Sequence, residues 1–153
     1  MVVKAKIVER ADVDVLGFGA RINPTEADYS EIWASGFGPI QENVEALAVE
    51  PGYYGVYYGT DNENLVDFVA GVAVGDLDTV PDGATCRRVP GGTYAAFECK
   101  MATIGATWEA IYGKWLPTSG YDEDPARPGI ERFPPRGDGP DAPVTVMVAI
   151  KPK

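Results

Sequence analysis

The stretch Ala102–Tyr121, ATIGATWEAIYGKWLPTSGY, decides how this chain is read. Ile104, Trp108, Ile111 and Trp115 are spaced by four, three and four residues, so they fall on one face of a 3.6-residue helix. Thr103 is placed to cap that helix, Pro117 forbids its continuation and Gly120 adds a break. Two tryptophans and a tyrosine in a few turns are a large aromatic load for a small protein. They either fill the core or wall a ligand pocket, and the functional reading turns on that choice.

Strands surround this helix. Upstream, Thr85–Val89 and Thr93–Met101 read as two strands joined around Pro90-Gly91-Gly92. On the second, Ala95, Phe97 and Cys99 face one way and Tyr94, Ala96 and Glu98 the other. Downstream, Asp122–Gly129 reads as a loop, Ile130–Phe133 as a short strand and Pro134–Pro143 as a loop. A last strand over Val144–Ile150 has Val144, Val146, Val148 and Ile150 on one face. The first half repeats this order. Val2–Arg10 and Val13–Ile22 are extended. A helical face runs through Trp33, Phe37, Ile40, Val44 and Leu47, interrupted near Gly36–Pro39, with a regular helix expected from about Pro39 to Ala48. YYGVYYG over Tyr53–Gly59 and the run Leu65–Gly75 then form a β-hairpin.

The pattern is strand, helix, hairpin, twice, over about residues 1–75 and 85–153. No sequence identity between the halves accompanies it. It predicts an α+β fold in which tandem β-α-β-β repeats form one antiparallel sheet, with two helices on one face and an aromatic groove at their seam. At 153 residues the whole chain is expected to be a single domain with a core that needs no staples.

Composition narrows the function. The formal net charge of −10 repels phosphate backbones, so direct nucleic-acid binding is not expected. Histidine is absent, which removes His-based triads and His-containing metal sites. The acidic loops fail the spacing of a calcium loop, and the glycine pairs lack the Lys-Ser/Thr of a phosphate loop, so neither a metal nor a cofactor is expected. No apolar run spans a bilayer and no signal peptide is evident, which together point to the cytoplasm. Cys86 and Cys99 lack CxxC spacing and are expected to be free thiols. A homodimer is left open.

The second half resembles the GyrI-like small-molecule-binding domain, found at the C-terminus of some AraC- and MerR-type regulators and as stand-alone proteins. RRVPGGTYAAFECK, TWEAIYGKWLPTSGY, GIERF and VTVMVAIKPK carry the likeness, and the first half matches only in pattern, through YYGVYYG and FVAGVAV. The resemblance implies a sheet with an aromatic groove that takes lipophilic, often cationic, compounds. It implies that Glu131 faces the ligand. Some stand-alone members resemble hydrolases of cyclopropane-containing alkylating compounds, and others are linked to gyrase inhibition. With Met1 opening directly on a strand, the expectation is a stand-alone binding protein. A hydrolase and a protein-interaction inhibitor are the alternatives.

The candidate ligand-binding residues are Glu131, Tyr112, Trp115, Trp108, Tyr94, Trp33, Tyr57 and Phe133. Glu131 and Tyr112 would be base and acid if the protein were a hydrolase. Each has a plainer reading. Glu131 by itself reads as a solvent-facing strand residue, and Trp108, with Ile111, belongs naturally to the stripe that packs on the sheet. Tyr112 lies one position off that stripe and keeps a polar tip, which makes it the better pocket candidate. Alternation puts Tyr57 and Tyr58 on opposite faces, so only one of them can face a given groove.

Overall fold

The computed structural model describes residues 3–135 and 139–153. Each half begins with a kinked strand. β1 (Lys6–Arg10) runs on into β2 (Val13–Ile22), and β5 (Thr85–Val89) runs on into β6 (Gly92–Lys100). At the kinks the partners change: β1 pairs antiparallel with β6, and β2 with β5. The Pro90-Gly91-Gly92 segment therefore bends a strand rather than folding it back, and β5 and β6 do not pair with each other. Proline lacks a ladder donor, Gly92 adopts a φ of 143°, and the Asp12 carboxylate accepts the Gly91 N–H at 2.6 Å.

The remaining strands are β3 (Tyr53–Gly59), β4 (Val66–Val74), β7 (Tyr121–Glu123), β8 (Gly129–Phe133) and β9 (Pro143–Pro152). All pair antiparallel, in the order β1-β6-β9-β8-β3-β4-β2-β5, with β7 beside β8 on the same edge of β9. From the β8/β3 seam outward, the order is hairpin, leading strand, kinked head in both directions. The two halves thus repeat one topology and meet at that seam.

Both helices cover one face. Helix α1 spans residues 29–45 and packs on Leu16, Phe68, Ala70, Val72 and Val74, the apolar positions that alternate along β2 and β4. Helix α2 spans residues 101–118 and packs on Ala95, Phe97, Val144, Val146, Val148 and Ile150. The opposite face has no helix. Val15, Tyr54, Val69, Val89, Tyr94, Ile130 and Met147 come from seven strands and gather there in one buried cluster. The sheet must curl around them. Fully burying each such side chain contributes about 1.5–3 kcal/mol.

Neither helix is regular. In α1, the Asp28 carboxylate accepts the Glu31 N–H at 3.1 Å and starts the α-helical turn Tyr29–Glu31. A π-helical stretch (Ile32–Phe37), a 3₁₀ turn (Gly38–Ile40) and a final α-helical turn (Gln41–Glu45) follow. Pro39 sits at the start of the 3₁₀ turn, where no donor is required. The regular part is shorter than its sequence pattern, ending at Glu45 rather than Ala48. Helix α2 opens with a 3₁₀ turn (Met101–Thr103), is α-helical over Ile104–Ala110, π-helical over Ile111–Trp115, and ends at Leu116–Thr118. Thr103 does not cap forward; its hydroxyl accepts the Lys100 N–H at 3.1 Å. Among the described residues no helix is long and apolar enough to cross a membrane. Cys86 and Cys99 are free and partly buried.

Candidate functional site

The seam between the halves is a five-pair ladder, from Tyr53 opposite Phe133 to Tyr57 opposite Gly129. Its central pair is Gly55 and Glu131. Strand alternation sends Tyr53, Gly55 and Tyr57, with Gly129, Glu131 and Phe133, to the helix-covered side. Glu131 therefore rises between α1 and α2. The position facing it must be nearly empty. A Cβ on Gly55 would lie 3.3 Å from Glu131 Oε1 and 3.1 Å from the Phe68 ring. Gly129 similarly leaves room for Trp108, whose ring would stand 3.2 Å from an added Cβ.

Glu131 is only 4% exposed, so its carboxylate is removed from water. Trp108 Nε1–H donates to Oε2 at 2.8 Å, and the Tyr57 hydroxyl lies 3.1 Å from both oxygens. Both donors are neutral. No lysine or arginine among the described residues forms an ion pair with Glu131. Burial pushes the Glu131 carboxyl above the usual range, and the Trp108 and Tyr57 hydrogen bonds pull it partly back. Burial, reinforced by the adjacent Glu131 carboxylate, drives the Tyr57 phenol far above its usual range, so it remains a neutral donor.

Aromatic rings enclose this carboxylate. Tyr57 lies 4.8 Å from Phe68, 6.2 Å from Trp108 and 6.4 Å from Tyr29, centroid to centroid. Trp33, at the π-helical stretch of α1, meets Phe133 at 5.6 Å and Tyr53 at 6.1 Å, both edge-on. Two solvent-open depressions lie elsewhere, one of about 460 Å³ around Arg10, Asp14, Glu50 and Arg88, the other of about 670 Å³ at the 61–65 turn. Charged and other polar side chains line most of both, and neither reaches Glu131.

The structure thus brings together Glu131, Trp108, Tyr57, Trp33 and Phe133. Tyr112 sits at the outer margin. Its ring stacks on Trp108 with centroids 6.0 Å apart, and its hydroxyl donates to Glu123 rather than pointing at Glu131. Trp115 lies away from the group, against Phe97 and Tyr121. A π-helical turn lies between it and Trp108, and both pack on the same core cluster beneath the helix. Tyr94 is on the opposite face, fully buried, donating to the Pro90 carbonyl at 2.7 Å beneath the Arg127 guanidinium. Sequence reasoning missed Gly55, Gly129, Tyr29, Tyr53 and Phe68 as parts of the site.

A family model described as the GyrI-like small molecule binding domain matches residues 4–151. The chain belongs to the GyrI-like family. No curated protein sequence matches it. Among solved structures, the GyrI-like domain is similar to SAV2435 bound to tetraphenylphosphonium, with a TM-score of 0.80 and 11% identity over 97% of this chain and 94% of that one. It is similar to the EcmrR C-terminal domain, with a TM-score of 0.69 and 16% identity over all of both chains. A hydrolase from Listeria innocua is similar at a TM-score of 0.59 and 11% identity, over 97% of this chain and 92% of that one. At these identities the likeness establishes the fold.

One consequence of the packing is testable in this GyrI-like domain without a ligand. Gly55→Ala is expected to cost about 1–3 kcal/mol, because the methyl must push aside either the Phe68 ring or the Glu131 carboxylate. Urea unfolding of the two proteins measures it; an unchanged midpoint would show that the seam has slack.

Proposed function

We propose that this GyrI-like domain binds lipophilic cations with delocalised charge, with Glu131 as the counter-ion. The observation that carries this is a buried carboxylate held by two neutral donors inside a ring of aromatic side chains. Such a carboxylate lacks a partner charge, and a cation supplies one. In low dielectric that attraction exceeds its value in water, and each ring face adds about 0.5–2 kcal/mol of cation–π energy. A weakly hydrated, apolar cation suits the site better than a metal ion or a primary ammonium, because it gives up little hydration on entry. Since the rings cover Glu131, a ligand enters by displacing them.

The test uses tetraphenylphosphonium and a neutral compound of the same shape, tetraphenylmethane bearing one solubilising polar group. The expected result is saturable calorimetric binding of the cation and at least about tenfold weaker binding of the neutral analogue, the counterpart of ~1.4 kcal/mol of charge recognition. Equal affinities would sink the proposal, since the carboxylate would then contribute nothing.

Hydrolysis has less support in this geometry. The pair proposed as base and acid, Glu131 and Tyr112, is not assembled, because the Tyr112 hydroxyl is engaged by Glu123. Tyr57 is the hydroxyl on Glu131, and its raised pKa makes it a poor acid.

A further inference from the structure

We propose that the site continues outward from Glu131 along Trp108 and Tyr112 to Glu123, and that it selects elongated ligands carrying a positive group at each end. The proposal deepens the reading of Glu131 as the inner counter-ion and rests on it.

The sheet sets the two carboxylates in line. Glu131 on β8 faces Val146 of β9, and Glu123 on β7 faces Ile150 of the same strand. Directly paired residues of an antiparallel ladder share a face. Val146 and Ile150 both lie under α2. Glu131 and Glu123 therefore project to the same side, along the same edge of β9. Four residues separate their partners, which at about 3.3 Å per residue places the two glutamate backbones ~13 Å apart.

Helix α2 bridges that distance with one pair of rings. Trp108 and Tyr112 are four positions apart and so stack on one face, 15° from parallel. Trp108 holds the inner carboxylate through its indole N–H, and Tyr112 holds the outer one through its hydroxyl. Tyr112 is 46% exposed, a large apolar surface left to solvent although its tip is fixed. No lysine or arginine among the described residues pairs with Glu123. The arrangement is an aromatic strip with an unpaired anion at each end, one buried and one open. A rod-shaped dication matches it in length, in charge and in the apolar character of its middle.

Bis(trimethylammonium)alkanes with about six to about twelve methylenes bracket the ~13 Å spacing and serve as probes, each compared with the monocation of equal chain length. Because the chain carries a net charge of −10, any dication is attracted non-specifically. Dependence on spacer length is therefore the discriminating readout. In the wild-type protein, one spacer length is expected to bind about tenfold tighter than its monocation, with shorter members losing the advantage. Glu123→Gln keeps an acceptor for the Tyr112 hydroxyl and removes only the charge. It should erase the spacer-dependent advantage, so that dication and monocation bind about equally at every length. Glu131→Gln should weaken both series.

Three outcomes overturn the proposal. Dications no tighter than monocations at any spacer sink the outer subsite and leave the inner one standing. The advantage persisting in Glu123→Gln assigns it to the general acidic field. Absence of any cation binding, tetraphenylphosphonium included, removes the inner site and the extension with it.

Discussion

Glu131→Gln is expected to raise the thermal midpoint of the free protein at pH 8 and, in the same substitution, to weaken binding of tetraphenylphosphonium at least about tenfold. The two effects share one cause. Wild-type Glu131 is buried with two hydrogen bonds and no counter-charge, so its ionised form is costly in the fold. Its folded-state pKa is raised, chiefly by burial. The native state therefore holds that proton at pH values where the unfolded chain has already released it. As pH climbs from the ordinary glutamate range through the raised folded value, the wild-type protein loses stability. Glutamine is neutral at every pH, accepts the Trp108 N–H through its carbonyl and bonds the Tyr57 hydroxyl. The variant should gain about 1–3 kcal/mol at pH 8, roughly 3–10 °C in a chain of this size, and the difference should shrink toward pH 5. Thermal melts of both proteins between pH 5 and pH 9, with and without the cation, read out both effects. A glutamine variant that is less stable at high pH, or that binds the cation as tightly as the wild type, would show that Glu131 is an ordinary structural residue. A destabilising group kept for binding is the usual pattern where function and stability compete.

The sequence made the architecture legible because each element carried its own period. The Ile104–Trp108–Ile111 stripe does pack on the sheet, and the alternating valines of β9 do line the face beneath it. Local pattern could not say which strand of one half meets which strand of the other. The site depends on that meeting: Glu131 acquires Tyr57 as a partner only because β8 pairs with β3 in one register. A slip of one residue would place Arg132 and Ile130 on the helix side instead. Glu131 was reached through the family's motif; a four-residue strand has no periodicity that marks one carboxylate as buried. Tyr94 illustrates the converse. Alternation had set it opposite Ala95 and Phe97, but nothing local showed that the helices cover the side of Ala95 and Phe97. Trp115 packs on the sheet against Phe97 with the rest of the stripe, on the side of a π-helical turn away from Glu131. Strand β7, read as loop, is three polar-leaning residues held by β9, and it carries Glu123.

The Trp108 indole N–H should set the pH at which the site becomes competent, and Trp108→Phe isolates it by keeping a ring in place. The hydrogen bond at 2.8 Å to Glu131 Oε2 favours the anion. Removing it leaves Tyr57 as the remaining described donor and pushes the carboxyl further up. A cation binds the ionised form, so the pH at which affinity reaches half its maximum should move upward in the variant. At pH 7 its affinity for tetraphenylphosphonium should fall about tenfold or more, the counterpart of losing a hydrogen bond to a charged group, worth about 1.5–3 kcal/mol. That loss should shrink as pH rises toward 9, because rising pH favours the ionised carboxyl. Stability follows the same logic with the sign reversed along the pH axis: Trp108→Phe should be most destabilised at high pH, where the bare anion must be buried, and nearest to wild type near pH 5. Trp108→Ala provides the contrast. It adds a cavity costing about 3–5 kcal/mol at every pH and should lose binding without recovery at pH 9. Calorimetric titrations of the three proteins across pH 6–9 separate these outcomes. If the Trp108→Phe profile superimposes on wild type after scaling, the indole serves only as a wall, and control of the Glu131 proton belongs to Tyr57 and to burial.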